Sequence, residues 1–216
     1  MDYETGWMFG LYVAEGSTTR NANDIKWSCD AEAIERVAEI AKRSFGIAVN
    51  VSAADGCVNA SMSSKPLRQL FVEFGSYAVT KIVPSWVFDA QEGFRIGFVD
   101  GALYGDGSVS KGRASIASSS KQLLWGLRLL LAKLGVAAKI NNEKVAGVRP
   151  APRGGTMMCQ AAYSLDWALS GNGVGVVGDQ AIGFWIERNE RVDGPVKVFN
   201  LAVEDDESYL TTGGTV

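Results

Sequence analysis

The sequence predicts an α+β fold made of two pseudo-symmetric repeats, each reading helix, two strands, helix, two strands, helix (αββαββα). Three observations carry this. A glycine ladder occurs twice, as Gly6-x-x-x-Gly10-x-x-x-Ala14 and Gly97-x-x-x-Gly101-x-x-x-Gly105, 91 residues apart. A second helix-like segment also recurs: Ala31–Phe45 before Gly46-Ile47 matches Ser120–Leu134 before Gly135-Val136, 89 residues apart. Strand-like runs then follow in both halves, separated by turn residues.

Taken in order, each ladder is a helix rich in small residues. The next pair are amphipathic helices, each ending at a glycine and entering a Val/Ile/Ala run. The runs Ile47–Ala53 and Cys57–Met62 are strands of the first half, divided by Ala54-Asp55-Gly56. Ala137–Asn141 and Met157–Leu165 are their counterparts, divided by Pro150 to Gly155. Short helices are predicted over Pro66–Phe74 and Pro84–Ala90, and Asp179–Arg191 as the closing helix of the second half. The repeats span 1–92 and 93–192, and 193–216 is a terminal strand or hairpin. Gly173–Gly178 matches a dinucleotide-binding pattern, but Asp166–Asn172 before it does not read as a buried parallel strand. That stretch is expected to be a loop.

Composition narrows the chemistry. The 216 residues are 47 % hydrophobic and 21 % charged, enough to bury a core, and contain no histidine. His-based triads, His-ligated zinc and His-ligated haem are thereby excluded. Acid–base work falls to carboxylates, Lys, Tyr, Cys or metal-bound water. Cys29, Cys57 and Cys159 lie far apart without a CxxC, as reduced thiols of a cytoplasmic protein would. The acidic start Met1-Asp2-Tyr3-Glu4 does not resemble a signal peptide. Arg128, Lys133 and Lys139 interrupt the longest apolar stretch, so no membrane span is expected.

The net charge of −3 conceals a pattern. Residues 1–106 hold 9 basic and 14 acidic side chains, residues 107–165 hold 9 and 1, and residues 166–216 hold 3 and 9. The cationic middle suits a polyanionic partner such as nucleic acid.

Small residues at every fourth position share one helix face and let two backbones approach. Glycine inside a helix costs about 1 kcal/mol against alanine, so the duplicated ladder needs a reason. Packing of the two ladders on each other about a pseudo-twofold axis supplies one. The interface residues are Gly6, Gly10, Ala14, Gly97, Gly101 and Gly105. Glu15 and Asp106 would then lie side by side, at the negative ends of two helix dipoles. Divalent cations between them relieve the repulsion. Donors that are all oxygen favour Mg²⁺ over Zn²⁺ at Glu15 and Asp106. The alternative is that each acid is a polar C-cap residue before a turn glycine; its recurrence at matching positions favours the metal site.

Met8–Gly16 and Val99–Gly107 resemble the two signature helices of monomeric LAGLIDADG homing endonucleases, and the resemblance covers roughly residues 3–192. It implies that Glu15 and Asp106, with Ala14 and Gly105 just before them, bind catalytic metal, two or more Mg²⁺ ions at the interface of the repeats. Thr80-Lys81-Ile82-Val83-Pro84 resembles the Lys-Ile-Pro segment of intein-borne members, which makes Lys81 a catalytic base or neutralising group. In the second half Asn189 stands where a lysine is expected, with Arg188 as substitute. Arginine shuttles protons poorly, so the two strands are expected to be cut at unequal rates. The family's strands form a saddle on double-stranded DNA, and a staggered double-strand break across the minor groove follows. Candidate DNA contacts are Ser17, Thr19, Arg20, Asn23, Lys26 and Ser28 in the first copy. In the second they are Ser108, Ser110, Lys111, Arg113, Lys139, Asn141, Lys144 and Arg149. A monomer is expected.

Val196–Leu210 resembles the C-terminal splicing motif of inteins. Glu207 replaces the usual histidine, the closing His-Asn is missing, and Met1-Asp2 offers no nucleophile. The expectation is an intein-derived endonuclease with a remnant, or a piece of a longer intein, that does not splice itself. Two alternatives remain: a non-cleaving nucleic-acid-binding protein such as a maturase or regulator, and a fragment of a protein-splicing element.

Overall fold

The first helix, α1 (Tyr3–Glu15), starts where the Asp2 carboxylate accepts the Thr5 N–H at 2.9 Å. This satisfies a donor that the helix cannot pair internally. The chain is a computed structural model describing residues 1–19, 22–54, 56–150 and 154–170, with the backbone of 175–177, 182–184, 210–211 and 214–215. From α1 it passes directly into β1 (Gly16–Thr18), which pairs antiparallel with β2 (Asp24–Cys29). In β2, Ile25 and Trp27 are buried while Lys26 and Ser28 are exposed, the two-residue period of a half-buried strand.

Asp30 caps α2 (Ala31–Phe45) by accepting the Ala33 N–H. The helix ends at Gly46 with φ 66°, a left-handed conformation that favours glycine. Ala33, Ile34, Val37, Ile40 and Ala41 form its buried face. After it come β3 (Asn50–Ala54), β4 (Cys57–Ser63), α3 (Lys65–Val72), a 3₁₀ turn at Ala78–Thr80 and α4 (Ser85–Phe88). The first sheet has the order β1-β2-β4-β3.

The second repeat opens with α5 (Glu92–Asp106), followed by β5 (Gly107–Ser110), β6 (Arg113–Ser118) and α6 (Lys121–Lys133). Its strands continue as β7 (Ala138–Lys144), β8 (Gly147–Pro150), β9 (Thr156–Cys159) and β10 (Ala162–Ala168). The sheet order β5-β6-β10-β7 reproduces that of the first repeat, with β7 and β10 in the places of β3 and β4. Lys111 and Gly112 turn the β5–β6 hairpin, both at positive φ (51° and 73°), as a tight two-residue turn asks.

Three expectations are corrected. The run Met157–Leu165 is not one strand. Residues up to Cys159 fold back on β8 as a separate hairpin, and only from Ala162 does the chain join the main sheet, with an irregular register between Ala162 and Tyr163. Gly154 and Gly155, at φ 89° and 78°, supply the backbone freedom for that local reversal. Second, the stretch expected as a loop contains β11 (Gly175–Val177). Third, the expected closing helix contains instead β12 (Ile182–Phe184), which pairs with β11. Val176, Val177, Ile182 and Phe184 favour extended backbone. The rest of Asp179–Arg191 lies outside the described residues.

The core surrounds α1 and α5. Phe9 stacks on Phe71 at 4.3 Å between ring centres, and Phe74 on Phe98 at 5.7 Å. Trp86 packs against Phe9, Phe74 and Phe94, so aromatic side chains from both repeats and from their connection form one cluster. The chain separates into two compact units, Met1–Trp185 and Ile186–Val216. The second is described only at the short pair β13 (Leu210–Thr211) and β14 (Gly214–Thr215), within the segment expected as a terminal hairpin.

Candidate active site at the ends of paired helices

The α1–α5 contact is made by backbone. A Cβ added at Gly6 or Gly10 would overlap the carbonyl oxygens of Phe94 or Phe98. One at Gly97 or Gly101 would overlap those of Tyr3 or Trp7. Shifting the first pair of contacts by 91 residues gives the second pair, which is the signature of a pseudo-twofold axis. At the end of the ladder a Gly105 Cβ would stand 2.5 Å from the Ala14 Cβ and 3.1 Å from the Glu15 Cγ.

Glu15 and Asp106 are the last residues of the two helices. The glycines after them, Gly16 and Gly107, have extended backbone (φ −106° and −111°) and are not turn glycines. What they supply is space: a Cβ at Gly16 would strike Tyr12, and one at Gly107 would strike Leu103. The reading of each acid as a polar cap before a turn glycine therefore does not describe these helix ends. The helices run directly into sheet.

Burial, and then the charge of Asp106, push the Glu15 carboxyl above its ordinary range. Asp106 is exposed, yet the protein walls around it raise its carboxyl too, and the nearby Lys81 ammonium partly offsets this. Lys81 itself is only 2 % exposed. Its Nζ donates to the carbonyls of Tyr12 and Gly16, both at 2.8 Å, and lies 3.6 Å from the centre of the Tyr12 ring. Burial lowers its pKa to about 7, against the pull of Asp106. The two carbonyls and the ring face favour the charged form.

Two repelling carboxylates, at the negative ends of two helices, fit a hard divalent cation. Among the described residues no cluster of three or more His, Cys, Asp or Glu could hold a metal. Glu15 and Asp106 would therefore need backbone, water or substrate oxygens to complete a coordination shell. All three cysteines are free, and among the described residues no helix is long and apolar enough to cross a membrane.

The sheet faces lie beside this site. Ser17, Asn23, Lys26 and Ser28 are exposed, and Thr19 is half-buried. Ser108, Ser110, Lys111 and Arg113 are exposed in the second repeat, with Lys139 and Asn141 half-buried on β7. Only the backbone of Lys144 and Arg149 is described; Arg20 and Arg188 lie outside the described residues. The sequence reading missed Asn50, Ser52, Asn59 and Ser61. Register places them level with Lys26 and Ser28 across the first sheet. The alternation within Cys57–Ser63, where Ala60 and Met62 are buried, carried the signal. It also missed Asp166, which accepts hydrogen bonds from Asn141 and Ser164.

A family model described as a LAGLIDADG-like domain matches residues 93–158. Among curated proteins, the chain is 29 % identical over 141 residues to the DNA-directed RNA polymerase subunit Rpo1C of Methanocaldococcus jannaschii, covering 63 % of this chain and 16 % of that protein. It is 29 % identical over 150 residues to a DNA polymerase of Thermococcus hydrothermalis, covering 63 % of this chain and 8 % of the polymerase. The chain thus spans less than a fifth of the length of either relative. Among solved structures it is similar to I-DmoI in complex with DNA and Mn, with TM-score 0.54, 16 % identity, and coverage of 77 % of this chain and 90 % of that one. Mesophilic variants of the homing endonuclease I-DmoI match with the same TM-score and cover 83 % of that chain. At such identity the likeness is one of fold. With the ladder present twice, two sheets of one strand order and an acid at the end of each paired helix, the chain has the two-repeat fold of these homing endonuclease structures, and its second repeat matches a LAGLIDADG-like domain.

Proposed function

We propose that the chain is a site-specific DNA endonuclease of the homing type, derived from an intein, that makes a staggered double-strand break at a long recognition site. The observation supporting this most strongly is the delivery of Glu15 and Asp106 to adjoining ends of two backbone-packed helices, beside sheet faces rich in Ser, Asn, Lys and Arg. Mg²⁺ ions, two or more, held by these carboxylates would supply an activated water and stabilise charge on the phosphodiester as it is hydrolysed. The other roles belong to the chain. Glu15 and Asp106 hold their position because the glycine ladders leave the helices no room to slide. Lys81 fixes the end of α1 through Tyr12 and Gly16 and sets a positive charge beside Asp106. The cationic second repeat attracts phosphates. The enzyme acts as a monomer on intracellular double-stranded DNA, each half serving one strand.

The test is incubation of the full chain with a randomised duplex library and Mg²⁺, followed by recovery of linear products. Discrete cut sites are expected; intact duplex at every Mg²⁺ concentration would sink the proposal. One observation favours a second reading, a non-cleaving DNA-binding protein: the Lys81 amine is already bonded to two backbone carbonyls. That reading predicts selective binding with no cut product.

A further inference from the structure

Register allows the two sheet faces to be compared residue by residue. One step beyond the glycine that follows each acid, the first sheet carries the row Ser17, Lys26, Ser61 and Asn50 across β1-β2-β4-β3. The matching row of the second sheet is Ser108, Ser115, Asp166 and Lys139 across β5-β6-β10-β7. Asp166 is the one acid among these eight, and it stands where the first repeat has Ser61. On a surface that attracts phosphates a carboxylate opposes affinity, so its presence calls for another reason.

Asp166 is held in place by its neighbours. Asn141 Nδ2 and the Oγ of Ser164, the latter at 3.1 Å, both donate to Oδ2, and neither uses Oδ1. An ionised carboxylate only accepts, so Asn141 must turn its amino group inward. Ser164 is 1 % exposed and cannot swing away to water. Lys139 lies directly opposite Asp166 in the β7–β10 register. Opposed residues in an antiparallel pair have Cβ atoms about 4.5–5.5 Å apart. The Asp166 carboxylate thus stands as a fixed acceptor on this row. A C·G pair offers the complement at its major-groove edge: the cytosine amino group is a donor, and guanine O6 and N7 are acceptors.

We propose that Asp166 is a specificity-determining residue that accepts the amino group of a cytosine in the second repeat's half-site. The assignment rests on the DNA-cleaving reading given above. Because Ser61 holds the matched place, the first half-site makes no such demand. The recognition sequence is not palindromic at this level.

The test is to sequence the duplexes bound by the full chain from a randomised library, alongside Asp166→Ser, which installs the residue of the first repeat, and Asp166→Asn, which keeps the shape and removes the charge. The parent should select C·G at one position of one half-site. Both variants should relax that position about tenfold, within the range for one base contact, and leave the other positions unchanged. Selection of A·T there would overturn the C·G assignment. Preferences identical to the parent in both variants, or a uniform loss at all positions, would overturn the role of Asp166. A parent that enriches no sequence would overturn the DNA reading itself, and this assignment with it.

Discussion

In the first repeat Gly6 and Gly10 accommodate the backbone of Phe94 and Phe98; in the second Gly97 and Gly101 accommodate that of Tyr3 and Trp7, the same contacts displaced by 91 residues. The outward sheet faces do not repeat in this way. Where the first repeat has Lys26, Ser61 and Asn50, the second has Ser115, Asp166 and Lys139. The β3–β4 connection spans only residues 55–56, whereas the hairpin β8–β9 intervenes between β7 and β10. Backbone against backbone tolerates no side chain, so that surface stays duplicated. Under the proposed DNA-cleaving function, the outward face would meet a ligand of irregular sequence and be free to diverge.

The comparison breaks most directly at the ladder. Gly101→Leu drives a side chain into the Trp7 carbonyl and the Leu11 nitrogen. Overpacking ordinarily costs about 1–3 kcal/mol, and backbone that cannot repack should place this variant at or above that range. Loss of the cooperative thermal transition is expected. Gly93→Ala, where the nearest atom is Tyr3 N at 3.8 Å, should melt like the parent. A stable Gly101→Leu protein would show that the two rods do not touch as described.

Removing one acid tests the site without disturbing the ladder. Glu15→Gln or Asp106→Asn should abolish double-strand cleavage while leaving duplex affinity within about tenfold, because phosphate contacts dominate binding. Gel analysis of cut product and a binding titration check both halves of that statement; undiminished cutting by both variants would overturn the assignment.

Lys81→Met should cost about 2–4 kcal/mol in denaturant unfolding, since it leaves the Tyr12 and Gly16 carbonyls short of a donor. The sign of its pH dependence is set by a pKa of about 7 in the folded chain against 10.5 for a free lysine. Between those values the unfolded chain holds a proton that the folded chain has released. The parent therefore gains stability relative to Lys81→Met as pH rises from about 7 toward 10. Glu15 and Asp106 act oppositely. Their raised carboxyls keep protons in the folded state just above the ordinary carboxylate range, so stability falls as pH climbs through that window. Added Mg²⁺ should raise the melting temperature of the parent above that window and leave Glu15→Gln unaffected.

The smallest effect sharpens the divergence of the faces. Arg113→Gln and Lys111→Gln should each lower the slope of log affinity against log salt by about 0.9, without altering sequence preference. Selection profiles at two salt concentrations would show it, and a changed preference would assign these side chains to bases instead.

Much of this was legible in the chain itself. Helix-interior glycines are unfavourable, so two ladders at one spacing announce a close contact, and the acids after them follow by position. The inserted hairpin was not legible: turn residues at 150–155 announce a reversal but not whether the next strand pairs locally or with a distant one. Asp166 was missed because its neighbours Asn141 and Lys139 are brought to it by register, which no local pattern states. The resemblance singled out Lys81, but its burial depends on Tyr12 and Gly16, more than sixty residues away along the chain.

Lys81 is also bound from its other end. Its carbonyl accepts the Ser120 Oγ at 2.6 Å, and Ser120 caps α6 in the second repeat. One residue thus grips the terminus of α1 with its side chain and is anchored to α6 by its main chain. A displacement of α6, whatever its origin, would be handed through this strap to the carboxylate of Glu15. The two halves are thereby tied together at one residue, within a few atoms of the helix end that carries Glu15.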